Sequence, residues 1–178
     1  TYEYFISNFA STEGTRGGEF FTPSSIVRLL VEMLEPTTGR IMDPACGSGG
    51  MFVQSARFTD SAQSLSFFGQ ERIETTWRLC QMNLILHGIR GKIEIGNSLL
   101  NDRHPSLKAD IVIANPPFNQ QKWGADKLDP KDSRLQIGYS RGQVTDGNAN
   151  TMWMLHFLHH LADGGTAGYV MANGSMTT

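Results

Sequence analysis

Apolar residues along the chain fall into two alternating patterns. Short, nearly continuous apolar runs are typical of buried strands, whereas apolar residues that recur every three or four positions are typical of amphipathic helices. The runs predict strands at residues 40–45, 66–71, 92–97, within 109–119 and at 167–172. The wider spacing predicts helices at residues 22–35, from Met51 onward, at 73–87 and at 151–162. Strands that alternate with helices predict an α/β fold with an open, mostly parallel sheet and helices on both faces.

The connections between these elements carry their own signals. Thr22 can cap the first predicted helix, Pro23 suits its first position, and Glu35 precedes the proline that ends it. Residues 162–165, Ala-Asp-Gly-Gly, predict a turn before the fifth strand. Residues 119–150 show little periodicity and exceed ordinary loop length, which indicates either a functional loop or disorder.

Length and composition fit one domain. A chain of 178 residues can bury a full-sized core, and its 39% hydrophobic and 18% charged residues are ordinary for a soluble globular protein. We therefore predict a single domain over residues 1–178. The rather apolar end after the fifth strand predicts that the chain is an excised fragment of a longer protein.

Charge and cysteine content limit the classes of function. A net charge of −2 argues against tight DNA binding by this chain alone, but not against a nucleic-acid enzyme whose partner supplies the phosphate contacts. Cys46 and Cys80 are too few for a disulfide framework, so a reducing, cytoplasmic environment is expected. No apolar run approaches the roughly 20 residues of a membrane helix, and the start lacks a signal-peptide pattern, so no membrane contact is expected.

Three histidines have a helical spacing that metal chelates also use: His156, His159 and His160. No further group of ligand residues accompanies them in the sequence. Ordinary helix histidines are the stronger interpretation, and no metal site is predicted.

Polar residues follow four of the predicted strands at the point where each strand ends. Asp43 and the glycine-rich turn 46–50 follow the first strand, and Glu71 ends the second. Residues 97–98 (Asn-Ser) end the third strand, and Asn115 follows the fourth. Because ligands bind at the carboxyl ends of parallel strands, near the point where the strand order reverses, these residues are predicted to form one pocket.

The glycine-rich turn distinguishes between two cofactor classes. A dinucleotide site uses G-x-G-x-x-G, and Phe52 stands where the third glycine would be. Asp43 disfavours a pyrophosphate but suits an ammonium group, and Glu71 can accept the ribose hydroxyls of a nucleoside. S-adenosylmethionine carries an ammonium group and no phosphate, so the turn favours this cofactor. An isolated turn of this kind also fits a tight strand-to-helix connection that binds nothing.

The sequence Asn-Pro-Pro-Phe at 115–118 suits methylation of an aromatic amine. The side-chain oxygen of Asn115 and the carbonyl of Pro116 can accept the two N–H groups of the amine and stabilise the charge that develops on its nitrogen. Pro117 helps to keep these acceptors rigid, and Phe118 offers a stacking face to a base taken out of the duplex. The alternative is an ordinary turn in which Phe118 fills the core.

Methylation of cytosine C5 follows a different route. That reaction needs a nucleophilic thiolate, usually on the loop after the fourth strand. Cys46 lies in the glycine-rich turn and Cys80 in a predicted helix, so neither is placed for it. Methylation of an amine by direct displacement needs no covalent intermediate.

Five segments, taken in order, resemble the modification (M) subunits of type I restriction-modification systems, which are adenine-N6 DNA methyltransferases. They are GGEFFTPSSIVRLLVEML (17–34), DPACGSGGM (43–51), FFGQE (67–71) with CQMNLILHGI (80–89), IGNSL (95–99) and NPPF (115–118). The resemblance runs from about residue 17 to 175 and implies a Rossmann-like core that uses S-adenosylmethionine.

The resemblance also implies a role for each matched residue. The methionine end of the cofactor would be bordered by Glu19, Phe20, Phe21, Thr22 and Pro23. Its amino and carboxylate groups would be held by Asp43, Ala45, Cys46, Gly47, Ser48, Gly49 and Gly50. Its ribose would be bound by Glu71, and its adenine would lie by Asn97 and Ser98. The target base would be gripped by Asn115, Pro116, Pro117 and Phe118, with Asn115 also bordering the cofactor.

The function implied is site-specific methylation of a flipped-out adenine in DNA. The active form would be an assembly with a specificity (S) subunit that reads the DNA sequence, a second M subunit and restriction (R) subunits. Basic residues of the 119–150 loop would approach DNA, unless its acidic residues make it an ordinary solvated loop. The basic residues are Lys122, Lys127, Lys131, Arg134 and Arg141. Two other functions stay open: methylation of release-factor glutamine or rRNA guanine, and a catalytically silent binding fragment.

Overall fold

Strands and helices alternate in the computed structural model, which describes residues 22–59, 64–137 and 144–175. The strands are β1 (Gly39–Asp43), β2 (Leu65–Glu71), β3 (Gly91–Ile95), β4 (Ala109–Ala114) and β5 (Leu161–Tyr169). The α-helices are α1 (Ser24–Leu34), α2 (Gly50–Phe58), α3 (Glu74–Leu86) and α4 (Asn150–His160). Within these ranges no helix is long and apolar enough to cross a membrane.

The five strands form one sheet in the order β3-β2-β1-β4-β5, and every pair of neighbours is parallel. The strand order reverses between β1 and β4, where Met42 lies opposite Val112. This reversal leaves a crevice at the carboxyl ends of the two central strands. The predicted α/β class with an open parallel sheet is confirmed, and its crevice lies between Asp43 and Asn115.

Each face of the sheet has its own apolar core, because neighbouring residues of a strand point to opposite faces. Met42 of β1 and Val112 of β4 pack with residues of α4 on one face. Ile41 and Ile111, their neighbours in the chain, pack with residues of α1, α2 and α3 on the other face. Both faces are therefore covered by helices, as the alternation of strands and helices predicted.

The start of α1 differs from the prediction. Thr22 makes no capping hydrogen bond, and Pro23 occupies the N-cap position with α1 beginning at Ser24. The Thr22 hydroxyl instead accepts a hydrogen bond from the Asn115 side chain, with a distance of 3.0 Å between Nδ2 and Oγ1. The predicted cap was wrong because α1 begins later than expected, which puts Pro23 and not Thr22 at the N-cap.

The position of β5 also differs from the prediction of a strand at 167–172. The strand begins at Leu161, directly after α4, and pairs with Ala109 before a shift in register. The predicted turn at 162–165 is this irregular part of the strand. A Cβ atom on Gly165 would lie 3.0 Å from the Ala109 carbonyl oxygen, so glycine allows the backbone to stay against β4.

Several residues of the segment between β4 and α4 pack into the core beside the sheet. Two short 3-10 helices, Ala125–Lys127 and Ser133–Gln136, interrupt it. Trp123 and Leu135 are buried in the same apolar core as α4. The interpretation as disorder is therefore wrong for these residues, while residues 138–143 lie outside the described ranges.

Candidate active site

A cavity of about 440 Å³ lies at the carboxyl ends of the central strands. Six of the predicted site residues line it: Ala45, Glu71, Asn97, Ser98, Asn115 and Pro117. The segment after β4 closes one side with Gln120, Gln121 and Lys122. The polar strand ends thus meet in one place, as parallel strands require.

Other predicted site residues lie outside the lining of this cavity. They are Thr22, Pro23, Asp43, Cys46, Gly47, Ser48, Gly49, Gly50, Pro116 and Phe118. Glu19, Phe20 and Phe21 lie outside the described residues. A larger open groove, about 1020 Å³, runs along the amino ends of β2 and β3, and none of the described site residues lines it. The chemistry predicted from the sequence therefore belongs to the smaller cavity.

The glycine-rich turn leads directly from β1 into α2. The Gly49 N–H donates to the Cys46 carbonyl at 2.8 Å, which closes the turn. Gly49 has φ +80°, and a Cβ atom there would lie 2.8 Å from Cys80 Sγ. Glycine is thus required both by the backbone conformation and by the close approach of α3.

Glu71 holds this turn from the end of β2. Its Oε2 accepts the Gly47 N–H at 3.0 Å, and its Oε1 accepts the Ile73 N–H at 2.8 Å. The same carboxylate lines the cavity. Glu71 therefore fixes the glycine-rich turn in addition to presenting acceptor oxygens to a ligand.

Asp43, at the end of β1, is 2% exposed, and its Oδ1 accepts the Ala45 N–H at 3.0 Å. Burial raises the pKa of Asp43 to about 8. The hydrogen bond from Ala45 opposes this effect, and the negative charge of Glu71 adds to it. Asp43 is therefore mainly a neutral acid at pH 7 until a cation approaches it.

We expect the amide resonance of Ala45 to titrate with a midpoint near pH 8, because its hydrogen-bond acceptor ionises there. NMR of the intact protein would measure it, and Asp43→Asn should abolish the titration. From about pH 4 to pH 8 the folded chain holds a proton here that the unfolded chain has lost, so this group's contribution to stability falls as pH rises. A midpoint near pH 4 would contradict the assignment.

The two cysteines lie side by side beneath the turn. Cys46 and Cys80 are buried free thiols whose sulfur atoms are 4.0 Å apart. The hydrogen bond with Cys80, followed by burial, raises the pKa of Cys46 well above its usual range. A thiol that resists ionisation is a poor nucleophile, so Cys46 is poorly suited to attack a base.

Asn97 and Ser98 belong to the turn that follows β3. Asn97 Oδ1 accepts the Leu99 N–H at 3.0 Å. The Ser98 hydroxyl donates to the Pro44 carbonyl at 2.5 Å and so ties this turn to the one that follows β1. Ser98 therefore acts on the cavity by holding two of its walls together.

Asn115 presents its side-chain oxygen at the end of β4. Its Nδ2 donates to Thr22 Oγ1, which orients the amide. Its Oδ1 is buried and has no hydrogen-bond partner among the described residues. A buried acceptor without a donor costs free energy, so a ligand N–H group at this position would be stabilised.

The rest of the Asn-Pro-Pro-Phe segment separates into a buried and an exposed part. Pro116 is buried, and Pro117 lines the cavity. Phe118 is 47% exposed. The alternative in which Phe118 fills the core is therefore wrong, and its ring is accessible at the surface.

Trp153 of α4 is a cavity residue that the sequence analysis missed. It is 5% exposed, it lines the cavity, and its indole N–H has no acceptor among the described residues. A tryptophan combines an apolar ring with a polar N–H group. This residue type was the only sign in the sequence that Trp153 could contact a ligand.

Two of the three helix histidines lie in a separate buried cluster. Ligand atoms of Asp102, His156 and His160 all lie within 4.8 Å of one another. The two ring nitrogens of His160 face acceptors, Asp102 Oδ2 and the Leu107 carbonyl, each at 2.9 Å. Both ring nitrogens of His160 therefore have polar partners within the fold, and the histidines belong to a buried hydrogen-bonded cluster.

Comparison with known proteins places this geometry in a family. A family model described as N-6 DNA Methylase matches residues 1–178. The methylase subunit of the type I restriction enzyme MjaIX from Methanocaldococcus jannaschii is 44% identical over 99% of this chain and 32% of its own length. The methylase subunit of the type I restriction enzyme HindI from Haemophilus influenzae is 44% identical over 99% of this chain and 40% of its own length.

A solved structure agrees with these relatives. The crystal structure of the type I restriction-modification system methyltransferase subunit from Streptococcus thermophilus matches with a TM-score of 0.80 at 29% identity. The match covers 97% of this chain and 38% of that one. The chain thus spans less than half the length of the relatives it matches. Because the family model covers the chain from end to end, the chain belongs to the N-6 DNA methylase family.

Proposed function

We propose that this chain is the catalytic domain, over residues 1–178, of a DNA methyltransferase that transfers a methyl group from S-adenosylmethionine to the N6 amine of adenine. The observation that carries the proposal is Asn115, which lines the cavity and whose oriented amide has a buried oxygen with no hydrogen-bond partner among the described residues. The glycine-rich turn and Glu71 lie at neighbouring strand ends. A methyl donor and an amine acceptor need such adjacent sites.

The residues around the cavity suit the groups of S-adenosylmethionine. Glu71 offers carboxylate oxygens to the ribose, and Asn97 lies on the adjacent wall, where the adenine would be. Asp43 would ionise on meeting the ammonium group, since a cation offsets both the burial and the negative charge of Glu71 that raise its pKa. The first N–H groups of α2, which begins at Gly50, suit the carboxylate. The bound cofactor supplies an electrophilic methyl group, and these residues orient it.

Asn115 and Pro116 would bind the amine that receives the methyl group. The amine nitrogen of adenine is a poor nucleophile because its lone pair is delocalised into the ring. Two acceptors, Asn115 Oδ1 and the Pro116 carbonyl, would draw the nitrogen toward tetrahedral geometry and stabilise its developing positive charge. The rigid backbone of the two prolines keeps these acceptors in place before the substrate arrives.

An aromatic and a polar group would hold the base itself. The exposed ring of Phe118 offers a stacking face to a base that has left the duplex. The indole N–H of Trp153 offers a donor in the same cavity, and the ring nitrogen beside the amine of adenine is an acceptor. Both groups suit a flipped adenine.

The protein would act within a larger assembly. The relatives named above are methylase subunits of type I restriction enzymes, and a net charge of −2 leaves this chain poorly suited to hold DNA alone. We therefore assign sequence reading to a specificity subunit, with a second methylase subunit and restriction subunits as further partners. Arg72 and Lys122, both exposed and both lining the cavity, are placed to contact a DNA phosphate. A cytoplasmic location suits both the DNA substrate and the two free thiols.

Methyl transfer by the full-length protein with its specificity subunit tests the proposal. We expect label from tritiated S-adenosylmethionine to enter DNA and to be recovered, after digestion to nucleosides, as N6-methyladenine. Release factor and ribosomal RNA serve as parallel substrates. Label in glutamine or guanine instead of adenine would overturn the choice of substrate, and absence of transfer to all three would leave only a binding function.

A further inference from the structure

Arg134 is buried, although its loop position and charge predicted a residue that approaches DNA. It lies in the 3-10 helix Ser133–Gln136 and is 5% exposed. Lys127 and Lys131, in the same segment, are exposed. A buried guanidinium needs partners for its N–H groups, and those partners indicate its role.

The guanidinium of Arg134 binds the turn after β3. Its Nη2 donates to the Leu99 carbonyl at 2.7 Å, and its Nη1 donates to the Ser98 carbonyl at 3.2 Å. Ser98 lines the cavity and is tied to Pro44 through its hydroxyl. The turn after β3 is therefore held by two sets of hydrogen bonds: those from Arg134 to its carbonyls, and that from the Ser98 hydroxyl to Pro44.

Two further contacts fix the guanidinium itself. Asp132 accepts from Nε at 2.9 Å and from Nη2 at 2.6 Å. The Nη1 group also lies 3.0 Å from His156 Nδ1. Burial, then the neighbouring His160 and Arg134, lower the pKa of His156 well below its usual range, so its ring is neutral and Nδ1 can accept.

These contacts connect three segments that are distant in the chain. Asp132 and Arg134 come from the segment after the Asn-Pro-Pro-Phe motif, His156 comes from α4, and the two carbonyls come from the turn after β3. A planar group with several fixed donors can bind all of them at once, whereas the single ammonium of lysine cannot. The arrangement is thus specific to arginine.

We propose that Arg134 is a positioning residue for the cofactor, which keeps the turn at 97–99 in the shape that the adenosine end of S-adenosylmethionine requires. The inference rests on the proposed function, because it takes the cavity to be the cofactor site. Arg134 itself touches neither the cofactor nor DNA.

The test uses the full-length protein and measures binding and catalysis separately. In Arg134→Lys we expect the Kd and KM for S-adenosylmethionine to rise about tenfold, from the loss of one or two hydrogen bonds to the turn. The kcat at saturating cofactor and the affinity for DNA should stay within about twofold of the wild type, because neither the amine acceptors nor a DNA contact is changed. Lys131→Met, an exposed cation of the same segment, is the matched control and should leave cofactor binding unchanged.

A second variant separates positioning from folding. Asp132→Asn/Arg134→Met removes both charges together, so no uncompensated buried charge remains. It should show the same rise in the Kd for S-adenosylmethionine while it stays folded at the assay temperature, although its thermal unfolding midpoint falls because the Leu99 and Ser98 carbonyls lose their donor. Wild-type cofactor affinity in both variants, or a loss confined to DNA affinity or kcat, would overturn the inference. Failure of the wild type to bind S-adenosylmethionine would instead overturn the proposed function.

Discussion

Replacement of Asn115 by alanine is expected to lower the rate of methyl transfer to adenine by about 100-fold or more. The variant loses a cavity-lining amide whose buried oxygen has no hydrogen-bond partner among the described residues. Loss of a single preorganised group that stabilises transition-state charge has effects of this size. Single-turnover methylation of DNA by the full-length protein, at saturating cofactor, would measure the change.

The control for this substitution is Asn101→Ala, which removes an exposed amide outside the cavity lining. It should leave the rate unchanged. The Kd for S-adenosylmethionine should change far less in Asn115→Ala than the rate does, because the lost contact matters most as charge develops on the amine. An unchanged rate in Asn115→Ala would contradict the proposed mechanism.

Thr22 provides a finer version of the same test. Its hydroxyl accepts the Asn115 Nδ2–H, so Thr22→Val should let the amide rotate and should lower the rate by about tenfold. Thr22→Ser keeps the oxygen and should restore most of the rate. Equal losses in both variants would indicate that Thr22 acts through packing and not through the orientation of Asn115.

The sheet and the meeting point of its strand ends could be predicted because both follow from local patterns. Runs such as Ile111–Ile113 identify buried strands, and alternation along a strand fixes which residues face which core. Parallel strands then bring Glu71 and Asn115 to one edge of the sheet. The chemistry of this edge could therefore be read from single residues at strand ends.

The features that could not be predicted all depend on partners far away in the chain. Thr22 resembles a helix cap in the sequence, but in the fold its hydroxyl accepts a hydrogen bond from Asn115, which is 93 positions away in the chain. Arg134 resembles a surface cation in the sequence, but in the fold it is buried and donates hydrogen bonds to two carbonyls of the turn after β3. Trp153 resembles an ordinary core residue until the folded chain places it in the cavity wall. Sequence spacing contains no information on contacts of this kind.

Replacement of Glu71 by alanine is expected to weaken S-adenosylmethionine binding by about 10- to 100-fold. Hydrogen bonds to a charged group contribute about 1.5–3 kcal/mol each, and about 1.4 kcal/mol corresponds to a tenfold change in Kd. Glu71 binds the Gly47 and Ile73 N–H groups and faces the cavity, so its loss affects the glycine-rich turn and any ribose contact together. Calorimetric titration of the full-length protein would measure the Kd, and Glu74→Ala, an exposed carboxylate paired with Arg78, is the matched control.

The two roles of Glu71 can be separated by changing the ligand as well as the protein. A cofactor analogue that lacks the ribose hydroxyls should bind the wild type more weakly than S-adenosylhomocysteine does, because it forfeits the contact with Glu71. In Glu71→Ala the two ligands should bind about equally, since the acceptor is gone from both complexes. If the analogue still binds Glu71→Ala more weakly than S-adenosylhomocysteine does, Glu71 supports only the glycine-rich turn, and another group binds the ribose. Weakened binding of both ligands by the same factor would then measure what the hydrogen bonds from Gly47 and Ile73 to Glu71 together contribute to the shape of the site.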